Sequence, residues 1–407
     1  MADRDVAVTG LGLVTPAGND EDAVWKTLAA GGSVAAEDPD LSGLPVGYSC
    51  RVRGMDPETE LGPRLARRLD RFTHMGLVAA RSAVRDARVE VAAAPERVGV
   101  ILGVGSNSLE TYTTEFVRLG EGRPGKVSPL ALPRSVPSMA AGEVAIDIGA
   151  RGPNFTVSSA CASGAAALGV ARELLLSGMC DVVLAGGCES ARSRMAATCF
   201  AQMRALSPPT DRPDLACRPF DVSRNGFVLG EGGAVLVLER MGHARRRKAV
   251  VRAVLRGFGS SADAFHPFSP HPDGVGLEQA VLRAFADARC AARDVGHINA
   301  HGTATQAGDA AEAAALRRVF GDRTPAVTAP KSIVGHALGA AGAIEAAVTV
   351  LSLERQEVPP TANLTRQAPG LELDVVTRRP RAVGFDLALS TSCGFGGQNA
   401  ALVFGAA

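Results

Sequence analysis

The sequence has almost no excess of either charge. Its 407 residues contain 43 lysines and arginines against 42 aspartates and glutamates, a formal net charge of +1. A protein held on nucleic acid by bulk electrostatics carries a basic surplus. The composition therefore argues against nucleic acid as a partner, and any charged docking site has to be sought in a local cluster of side chains.

Cysteine is also sparse and irregularly spaced. The eight cysteines show no paired metal-ligand spacing and are too few for a disulfide framework in a chain of this length. No uncharged apolar run reaches the ~18 residues of a membrane span. The start, "MADRDVAVTGLG", lacks the basic and then apolar pattern of a secretory signal. These absences predict a soluble, cytoplasmic protein with reduced thiols, no metal site and no membrane contact.

Short β-branched runs alternate with alanine-rich, helix-like stretches along the chain. The runs include "DVAVTGL" (5–11), "RVGVILGVG" (97–105), "DVVLAGG" (181–187) and "GGAVLVLER" (232–240). This alternation predicts an α/β protein with buried sheets. A second series of such runs begins after the basic stretch 244–248, which we interpret as a solvated connector. We therefore divide the chain into two related halves, 1–245 and 246–407.

One cysteine stands out in "TVSSACASGAAALGVARELLLSG" (156–178). The β-branched start predicts a strand end, and the residues from Ser163 onward predict a helix, so Cys161 falls at the turn between them. The positive end of a helix dipole favours a thiolate, and the N–H of Cys161 can face an oxyanion. A small buried hydrophobe remains the ordinary alternative for a free cysteine.

Two histidines lie in glycine-rich surroundings. His301 follows an apolar strand end in "NAHGTAT" (299–305), where hydroxyl groups can converge on a ligand. His336 opens a helix in "KSIVGHALGAAGAIEAA" (331–347), whose small residues let a backbone or a ligand approach closely. Each histidine alone could be structural, but together with Cys161 and the loop "CGFGGQN" (393–399) they form a recognisable set.

These segments resemble the elongating β-ketoacyl-acyl-carrier-protein synthases of the thiolase superfamily. The motifs "SSACASG", "NAHGTATQAGDAAEA", "PKSIVGHALGAAGA" and "CGFGGQNAALVF" stand in that family's order and spacing, with "RPFDVSRNGFVLGEGGAVLVLE" (218–239) between them. The resemblance covers nearly the whole chain. It implies a duplicated thiolase fold with five αβαβα layers, in which both halves meet around one active site, usually in a dimer.

The resemblance implies a decarboxylative Claisen condensation with malonyl-acyl-carrier-protein. Cys161 matches the acyl-accepting nucleophile, and His301 and His336 match the histidines of a Cys-His-His triad. A thiolate suits acyl transfer, and two neutral imidazoles suit the enolate charge that decarboxylation creates. The N–H groups of Cys161 and Phe395 would hold the acyl oxyanion. No metal or organic cofactor is required, since the substrates arrive on the phosphopantetheine arm of the carrier.

The family pattern gives roles to further residues. Lys331 and Glu312 match a pair that fixes the histidines, although isolated charges are usually surface residues. Thr303 and Thr305 match hydroxyls that bind pantetheine, with simple turn capping as the alternative. Phe395 matches a gating aromatic whose flanking glycines allow it to move.

Carrier proteins are acidic, so their docking site should be basic. The stretch "PRLARRLDRF" carries Arg64, Arg67, Arg68 and Arg71. Arg67 and Arg68 match the family's carrier-docking positions. A solvated helix face is the alternative interpretation of this cluster.

Four positions depart from the enzymes of primary fatty-acid synthesis. Ser106 replaces a bulky aliphatic residue that lines the acyl tunnel, Thr391 and Cys393 replace Asn and Phe, and Gln306 replaces a common proline. These departures favour the ketosynthase subunit of a type II polyketide synthase, acting on a reduced or polyene chain, over a housekeeping fatty-acid enzyme.

Two further alternatives are a non-catalytic chain-length-factor subunit, which typically lacks the nucleophile, and an acyl-thioester hydrolase. The sequence leaves open whether the dimer is formed with a second copy or with a chain-length-factor-like ketosynthase, because tunnel residues come from both subunits.

Overall fold

The structure, a computed structural model, describes residues 5–106, 109–321 and 323–407. In this part of the chain the strands are β1 (Val6–Val14), β2 (Ala36–Glu37), β3 (Tyr48–Ser49), β4 (Val98–Gly103), β5 (Asn154–Val157), β6 (Val182–Ser190), β7 (Glu231–Arg240), β8 (Ala253–Ala262), β9 (His297–Asn299), β10 (Ala326–Thr328), β11 (Glu357–Val358), β12 (Arg381–Ala382), β13 (Leu387–Gly394) and β14 (Gln398–Ala406).

The α-helices of the same residues are α1 (Glu21–Ala30), α2 (Pro57–Leu61), α3 (Pro63–Arg68), α4 (Arg71–Ala87), α5 (Leu109–Gly120), α6 (Ala131–Ser135), α7 (Ser138–Ile148), α8 (Ser163–Leu176), α9 (Arg194–Gln202), α10 (Met241–Arg246), α11 (Val275–Ala288), α12 (Gln306–Phe320), α13 (Lys331–Val334) and α14 (Ala341–Arg355).

The main sheet shows the predicted duplication directly. Its ten described strands are ordered β10-β9-β13-β14-β8-β1-β7-β6-β4-β5. Each half contributes five strands, which run outward from the centre as β1-β7-β6-β4-β5 and as β8-β14-β13-β9-β10. In both halves the first two strand pairs are antiparallel and the last two are parallel. The two halves join where β1 and β8 pair antiparallel over Val6–Val8. The chain crosses between them through α10 and residues 247–252, and the boundary predicted at residue 245 lies within that helix.

Helices cover both halves of the sheet and complete the five layers. α8 and α14 lie in the central core between the halves, α4 and α7 pack on the outside of the first half, and α11 and α12 pack on the outside of the second. Strands enclosed in this way bury both faces. All nine residues of β1 are accordingly buried. No helix of the described residues has the length and apolar character needed to span a bilayer.

One glycine places the start of α8 against the sheet. A Cβ atom on Gly103, the last residue of β4, would lie 2.3 Å from the carbonyl carbon of Ser163. Only glycine permits so close an approach between strand and helix. The turn that carries Cys161 is therefore held at the carboxyl end of β4 and β5.

Candidate active site

Cys161 lies in the turn between β5 and α8, as predicted. The preceding residue, Ala160, has φ +49°, in the left-handed region that residues other than glycine seldom adopt. The Ser163 hydroxyl holds this turn, since it donates to the Ala160 carbonyl at 2.6 Å and accepts from the Ser159 N–H at 2.9 Å. The local strain is thus balanced by hydrogen bonds on both sides of the cysteine.

The thiol of Cys161 is protonated at neutral pH. Burial raises its pKa to about 12, against the opposing effects of the Lys331 charge and of the nearby Phe395 N–H. Desolvation of the sulfur therefore outweighs the effect of the helix start, which by itself favours the thiolate. The thiolate has to form by transfer of its proton to a neighbouring base.

The predicted catalytic groups meet in one cavity of about 640 Å³. Its walls come from both halves of the fold. The predicted residues that line it are Cys161, His301, Thr303, Thr305, His336 and Phe395, and Glu312 also reaches it. Cys161 and His336 are 175 positions apart in the sequence, and the duplicated fold brings them to the same cavity.

The Glu312 carboxylate accepts two hydrogen bonds from the backbone at His301 and Gly302. One of its oxygens accepts from the His301 N–H at 2.8 Å, and the other accepts from the Gly302 N–H at 2.8 Å. The Thr391 hydroxyl donates to the same carboxylate at 2.8 Å and lies 3.2 Å from the His301 nitrogen. Glu312 therefore orients the histidine through its main chain rather than through its ring.

Lys331 acts on the ring of the same histidine. Its Nζ atom donates to the His301 carbonyl at 2.6 Å, lies 3.2 Å from His301 Nδ1, and forms an ion pair with Glu345. Lys331 and Glu345 are almost completely buried. Burial of a charged pair is tolerated where each charge has a partner and the remaining protons are hydrogen-bonded.

His336 is held by the backbone of the segment between α9 and β7. Its N–H donates to the Val228 carbonyl at 2.8 Å, and its carbonyl accepts from the Gly230 N–H at 2.9 Å. Its ring lies perpendicular to that of His301, at 5.4 Å between centroids, and packs edge-on against Phe227. Burial and the charge of Lys331 lower the pKa of both imidazoles well below the usual value, so both rings are neutral at pH 7.

The Phe395 ring lies between two other aromatic rings, 6.2 Å from Phe200 and 6.1 Å from Phe268. The residue before it is packed against the nucleophile's turn, since a Cβ on Gly394 would lie 2.6 Å from the Ser159 carbonyl oxygen. Gly396 follows with φ +82°. The loop thus combines close contact with the Cys161 turn and a backbone that only glycine adopts easily.

Thr303 and Thr305 show features of both predicted roles, ligand binding and helix capping. Their hydroxyl oxygens are 3.0 Å apart and both side chains line the cavity. Thr305 also caps α12, because its hydroxyl accepts from the Gly308 N–H at 3.2 Å. Thr305 therefore caps the helix as well as lining the cavity, and Thr303, whose hydroxyl contacts that of Thr305, keeps its predicted pantetheine role as a prediction.

Ser106 is not among the residues that line the Cys161 cavity. Its hydroxyl donates to Glu189 at 3.1 Å and its N–H donates to the same carboxylate at 3.0 Å. Burial raises the pKa of Glu189 to about 7 despite these hydrogen bonds. The serine is therefore bonded to a buried carboxylate next to the site, and its role in lining the acyl tunnel stays a prediction.

The predicted basic cluster is split by the fold. The side chain of Arg67 is 78% exposed, and Arg64 is exposed as well. Arg68 forms an ion pair with Glu143. Arg71 points inward, where its Nε donates to Glu231 at 2.7 Å, so it does not belong to the surface cluster.

Sequence reasoning missed Glu345 and Glu189. Glu345 is a single acid in "AGAIEAAVTV", a stretch of α14 that is buried at every position. Because an unpaired buried carboxylate is costly, an acid inside an apolar helix signals a buried partner. For Glu345 this signal was present in the sequence, and the structure shows that the partner is Lys331. Glu189 lies at the polar end of a buried strand and carried no such signal.

Known proteins agree with this geometry at two levels. The solved structure of the ishigamide ketosynthase/chain length factor superposes with a TM-score of 0.92 at 31% identity, with 100% of both chains covered. A structure of a type II PKS acyl-carrier protein in complex with its ketosynthase superposes with a TM-score of 0.93 at 29% identity, again with 100% of both chains covered. The fold and the site therefore define a condensing enzyme of the thiolase type.

The sequence matches are more specific. Residues 3–244 match the model of the beta-ketoacyl synthase N-terminal domain, and residues 252–365 match that of the C-terminal domain. The 3-oxoacyl-[acyl-carrier-protein] synthase 2 of Vibrio cholerae serotype O1 is 40% identical over 411 residues, which cover 99% of each chain. The chain belongs to the beta-ketoacyl synthase family, and it is an acyl-transferring condensing enzyme.

Proposed function

We propose that the protein extends an acyl chain held on Cys161 by condensing it with malonyl-acyl-carrier-protein. The observation that carries this proposal is the convergence of Cys161, His301 and His336 on one cavity, with Lys331 setting the proton position of His301. In this scheme no metal or organic cofactor takes part. The chemistry rests on side chains and on the carrier's pantetheine arm.

Acyl transfer comes first. The sulfur of Cys161 forms a bond to the carbonyl carbon of the carrier thioester, the pantetheine sulfur leaves, and the proton of the thiol passes through a neighbouring imidazole to that leaving group. The N–H of Phe395 lies near enough to the Cys161 sulfur to lower its pKa, and in this scheme it is one donor to the developing oxyanion. The N–H of Cys161 is the second donor.

Condensation follows on the malonyl thioester. The bond to the malonyl carboxylate breaks, carbon dioxide leaves, and the electron pair forms an enolate whose oxygen accepts from the N–H groups of His301 and His336. The enolate carbon then attacks the acyl carbonyl, and the sulfur of Cys161 leaves. Neutral imidazoles suit this step, because each ring donates a hydrogen bond to the enolate oxygen and carries no positive charge of its own.

We further propose that the chain acts in polyketide synthesis, with fatty-acid elongation as the alternative. Ser106 stands where fatty-acid enzymes carry a bulky aliphatic residue, and its hydrogen bonds to Glu189 beside the Cys161 turn support this choice. Similarity to solved type II polyketide ketosynthases supports the same choice. The 40% identity to a 3-oxoacyl-[acyl-carrier-protein] synthase 2 supports the alternative.

The partners proposed are an acyl carrier protein and a second ketosynthase-like subunit. β5 lies at the end of the strand order, with Phe155 41% exposed. α7 packs against β5 and exposes Ile146, and the adjoining helices α6 and α5 expose Leu132 and Phe116. An open sheet edge with such surroundings is normally covered by another chain. A copy of this chain and a chain-length-factor-like subunit both suit this face.

The test is mass spectrometry of the protein incubated with an acyl-loaded carrier and then with malonyl carrier. We expect an acyl group on Cys161, followed by release of carbon dioxide and a carrier-bound product two carbons longer. Cys161→Ala should lose both steps, whereas Cys199→Ala, which removes an exposed thiol of α9, should keep them. Release of free acid would identify a hydrolase instead.

A protein that stays unacylated alone should be tested again with a co-expressed ketosynthase-like partner. Acylation of Cys161 only in that pair would show a catalytic chain that needs its partner, and no acylation in either case would identify a scaffold subunit. Chain preference is measured with polyene and saturated acyl carriers of equal length. The polyketide proposal expects faster acylation by the polyene chain and a reversal of this preference in Ser106→Ile.

A further inference from the structure

Glu189 is a buried acid near the end of β6, and it takes no part in the chemical steps proposed above. Its Oε2 atom accepts from the N–H of Gly105 at 2.7 Å and from the N–H of Ser106 at 3.0 Å. Its Oε1 atom accepts from the Ser106 hydroxyl at 3.1 Å. Three hydrogen bonds to one carboxyl group therefore hold the loop that follows β4.

This loop packs against the turn that carries the nucleophile. A Cβ on Gly105 would lie 3.0 Å from the Ala160 carbonyl oxygen and 3.1 Å from Glu189 Oε2. Gly105 thus lies between the carboxyl group and the residue that precedes Cys161. A change in the position of the loop is transmitted to the Cys161 turn, because the packing leaves no space between them.

The same carboxyl group contacts the second half of the fold at Gly339, three residues after His336. A Cβ on Gly339 would lie 2.9 Å from Glu189 Oε2 and 2.1 Å from the Gly105 nitrogen. Gly339 therefore packs directly on the loop that Glu189 holds. Leu338, the residue before it, lines the active-site cavity at φ +43°, in the left-handed region. The turn after the histidine is thus in a strained conformation that its neighbours have to maintain.

We propose that Glu189 is a positioning residue that fixes the distance between the acyl group on Cys161 and the enolate held by the two histidines. The cysteine belongs to the first half of the fold and the histidines to the second, and one carboxyl group contacts both halves. The distance matters most in the condensation step, where the enolate carbon has to reach the acyl carbonyl. An enolate held too far away takes a proton from water instead, and the malonyl carrier becomes an acetyl carrier. The inference rests on the proposed function, since it concerns this step.

The proposed role requires a hydrogen-bond acceptor rather than a charge. In Glu189→Gln the amide oxygen can accept from the N–H groups of Gly105 and Ser106, and the amide N–H can donate to the Ser106 hydroxyl. In Glu189→Ala the two backbone N–H groups lose their acceptor, and buried donors without a partner are costly. The loop then moves to find new partners and leaves its contacts with Ala160 and Gly339.

The experiment loads Cys161 of the whole protein with an acyl chain, adds malonyl carrier, and measures extended product, acetyl carrier and carbon dioxide. The readout is the amount of product per carbon dioxide released, because this ratio does not depend on the fraction of folded protein. In Glu189→Ala we expect the ratio to fall about tenfold, with a matching rise in acetyl carrier, since a misplacement of about 1 Å can cost about 10²-fold in rate. Glu189→Gln should keep the wild-type ratio.

Glu239→Ala is the matched control. Glu239 is also a buried acid, and it accepts from the Arg247 Nε at 2.8 Å. It pairs with Val182 at the opposite end of β6, seven residues and therefore roughly 23 Å from Glu189. Its loss should lower the free energy of unfolding and leave the ratio of product to carbon dioxide unchanged.

Gly105→Ala takes the place of Glu189→Ala if the latter does not fold. Its added Cβ would lie 3.0 Å from the Ala160 carbonyl oxygen and 3.1 Å from Glu189 Oε2, so it separates the loop from its neighbours, and the ratio should fall. Three results would overturn the proposal: a wild-type ratio in the variant that is used, a ratio in Glu189→Gln as low as in the alanine variant, or an equal fall in Glu239→Ala. A wild-type protein that makes no extended product, alone or with a partner subunit, would overturn the proposed function itself.

Discussion

The ammonium group of Lys331 lies 3.2 Å from Nδ1 of His301 and 2.6 Å from the same residue's carbonyl oxygen. Because an ammonium group only donates, Nδ1 has to accept and the ring proton sits on Nε2. His301 therefore offers a donor on Nε2, which is what an enolate oxygen requires. Glu345, paired with Lys331, keeps the lysine in this position.

Lys331→Met should slow decarboxylation and condensation more than it slows acylation of Cys161. Without the lysine, His301 can take either tautomer, so decarboxylation and condensation should fall by about 10²-fold, the usual effect of losing one oxyanion donor. Acylation of Cys161 should fall less, because main-chain N–H groups hold that oxyanion. The measurement compares carbon dioxide release with acyl-enzyme formation.

Glu345→Gln is the matched control for that variant, since its amide oxygen still accepts from Lys331 and should preserve most of the decarboxylation. Equal losses of acylation and decarboxylation in Lys331→Met would contradict the tautomer argument.

Gly394→Ala should impair acylation of Cys161. The added Cβ would lie 2.6 Å from the Ser159 carbonyl oxygen and 3.2 Å from the Ala160 Cβ, so the end of β13 has to move away from the nucleophile's turn. The Phe395 N–H moves with it. Gly384→Ala is the control, because no atom lies within 4 Å of its added Cβ. Acyl-enzyme formation at the wild-type rate in Gly394→Ala would show that this contact does not position the loop.

The buried Glu189 should make the free energy of unfolding depend on pH. Burial raises its pKa from 4.5 to about 7, so between these values the folded protein keeps a proton that the unfolded chain releases. Its contribution is complete below pH 4.5 and is lost as the pH rises through 7, a change of roughly 3 kcal/mol. Glu345 and Asp309, also raised to about 7, act in the same direction.

Urea unfolding at pH 5 and pH 8 measures this effect. Glu189→Gln should gain stability relative to the wild type as the pH rises, whatever the offset at pH 5. Glu121→Gln, which changes an exposed acid, should show a constant difference. A pH-independent difference between Glu189→Gln and the wild type would mean that the carboxyl group is already ionised in the folded protein.

Arg67→Glu should weaken carrier binding without slowing the chemistry. The Arg67 side chain is 78% exposed, and its nearest carboxylate, on Glu58, is 3.9 Å away, so its charge remains available to an acidic partner. We expect a higher KM for the acyl carrier, a smaller salt dependence and little change in kcat. Arg293→Glu, an exposed arginine of the second half, is the control. An unchanged KM would show that the carrier protein docks at a different surface.

The fold and the residues Cys161, His301 and His336 that meet in one cavity were predictable because local sequence patterns mark them. Cys161 lies between a β-branched run and a helix-forming run, and the strand order confirms the repeated halves. The roles of Arg71 and Ser106 were not predictable, since a helix pattern does not say which arginine turns inward to Glu231 or that a hydroxyl has a buried carboxylate as its partner. Such choices depend on elements that are distant in sequence.

The sequence by itself determined the α/β class, the family and the positions of Cys161, His301 and His336, because residue type and spacing along short segments define them. Only the tertiary structure decided the protonation of these groups. Burial keeps Cys161 as a thiol and both imidazoles neutral, while Lys331 selects the tautomer of His301. Desolvation and electrostatic contacts depend on the packing of both halves around one cavity, and that packing exists only in the folded chain.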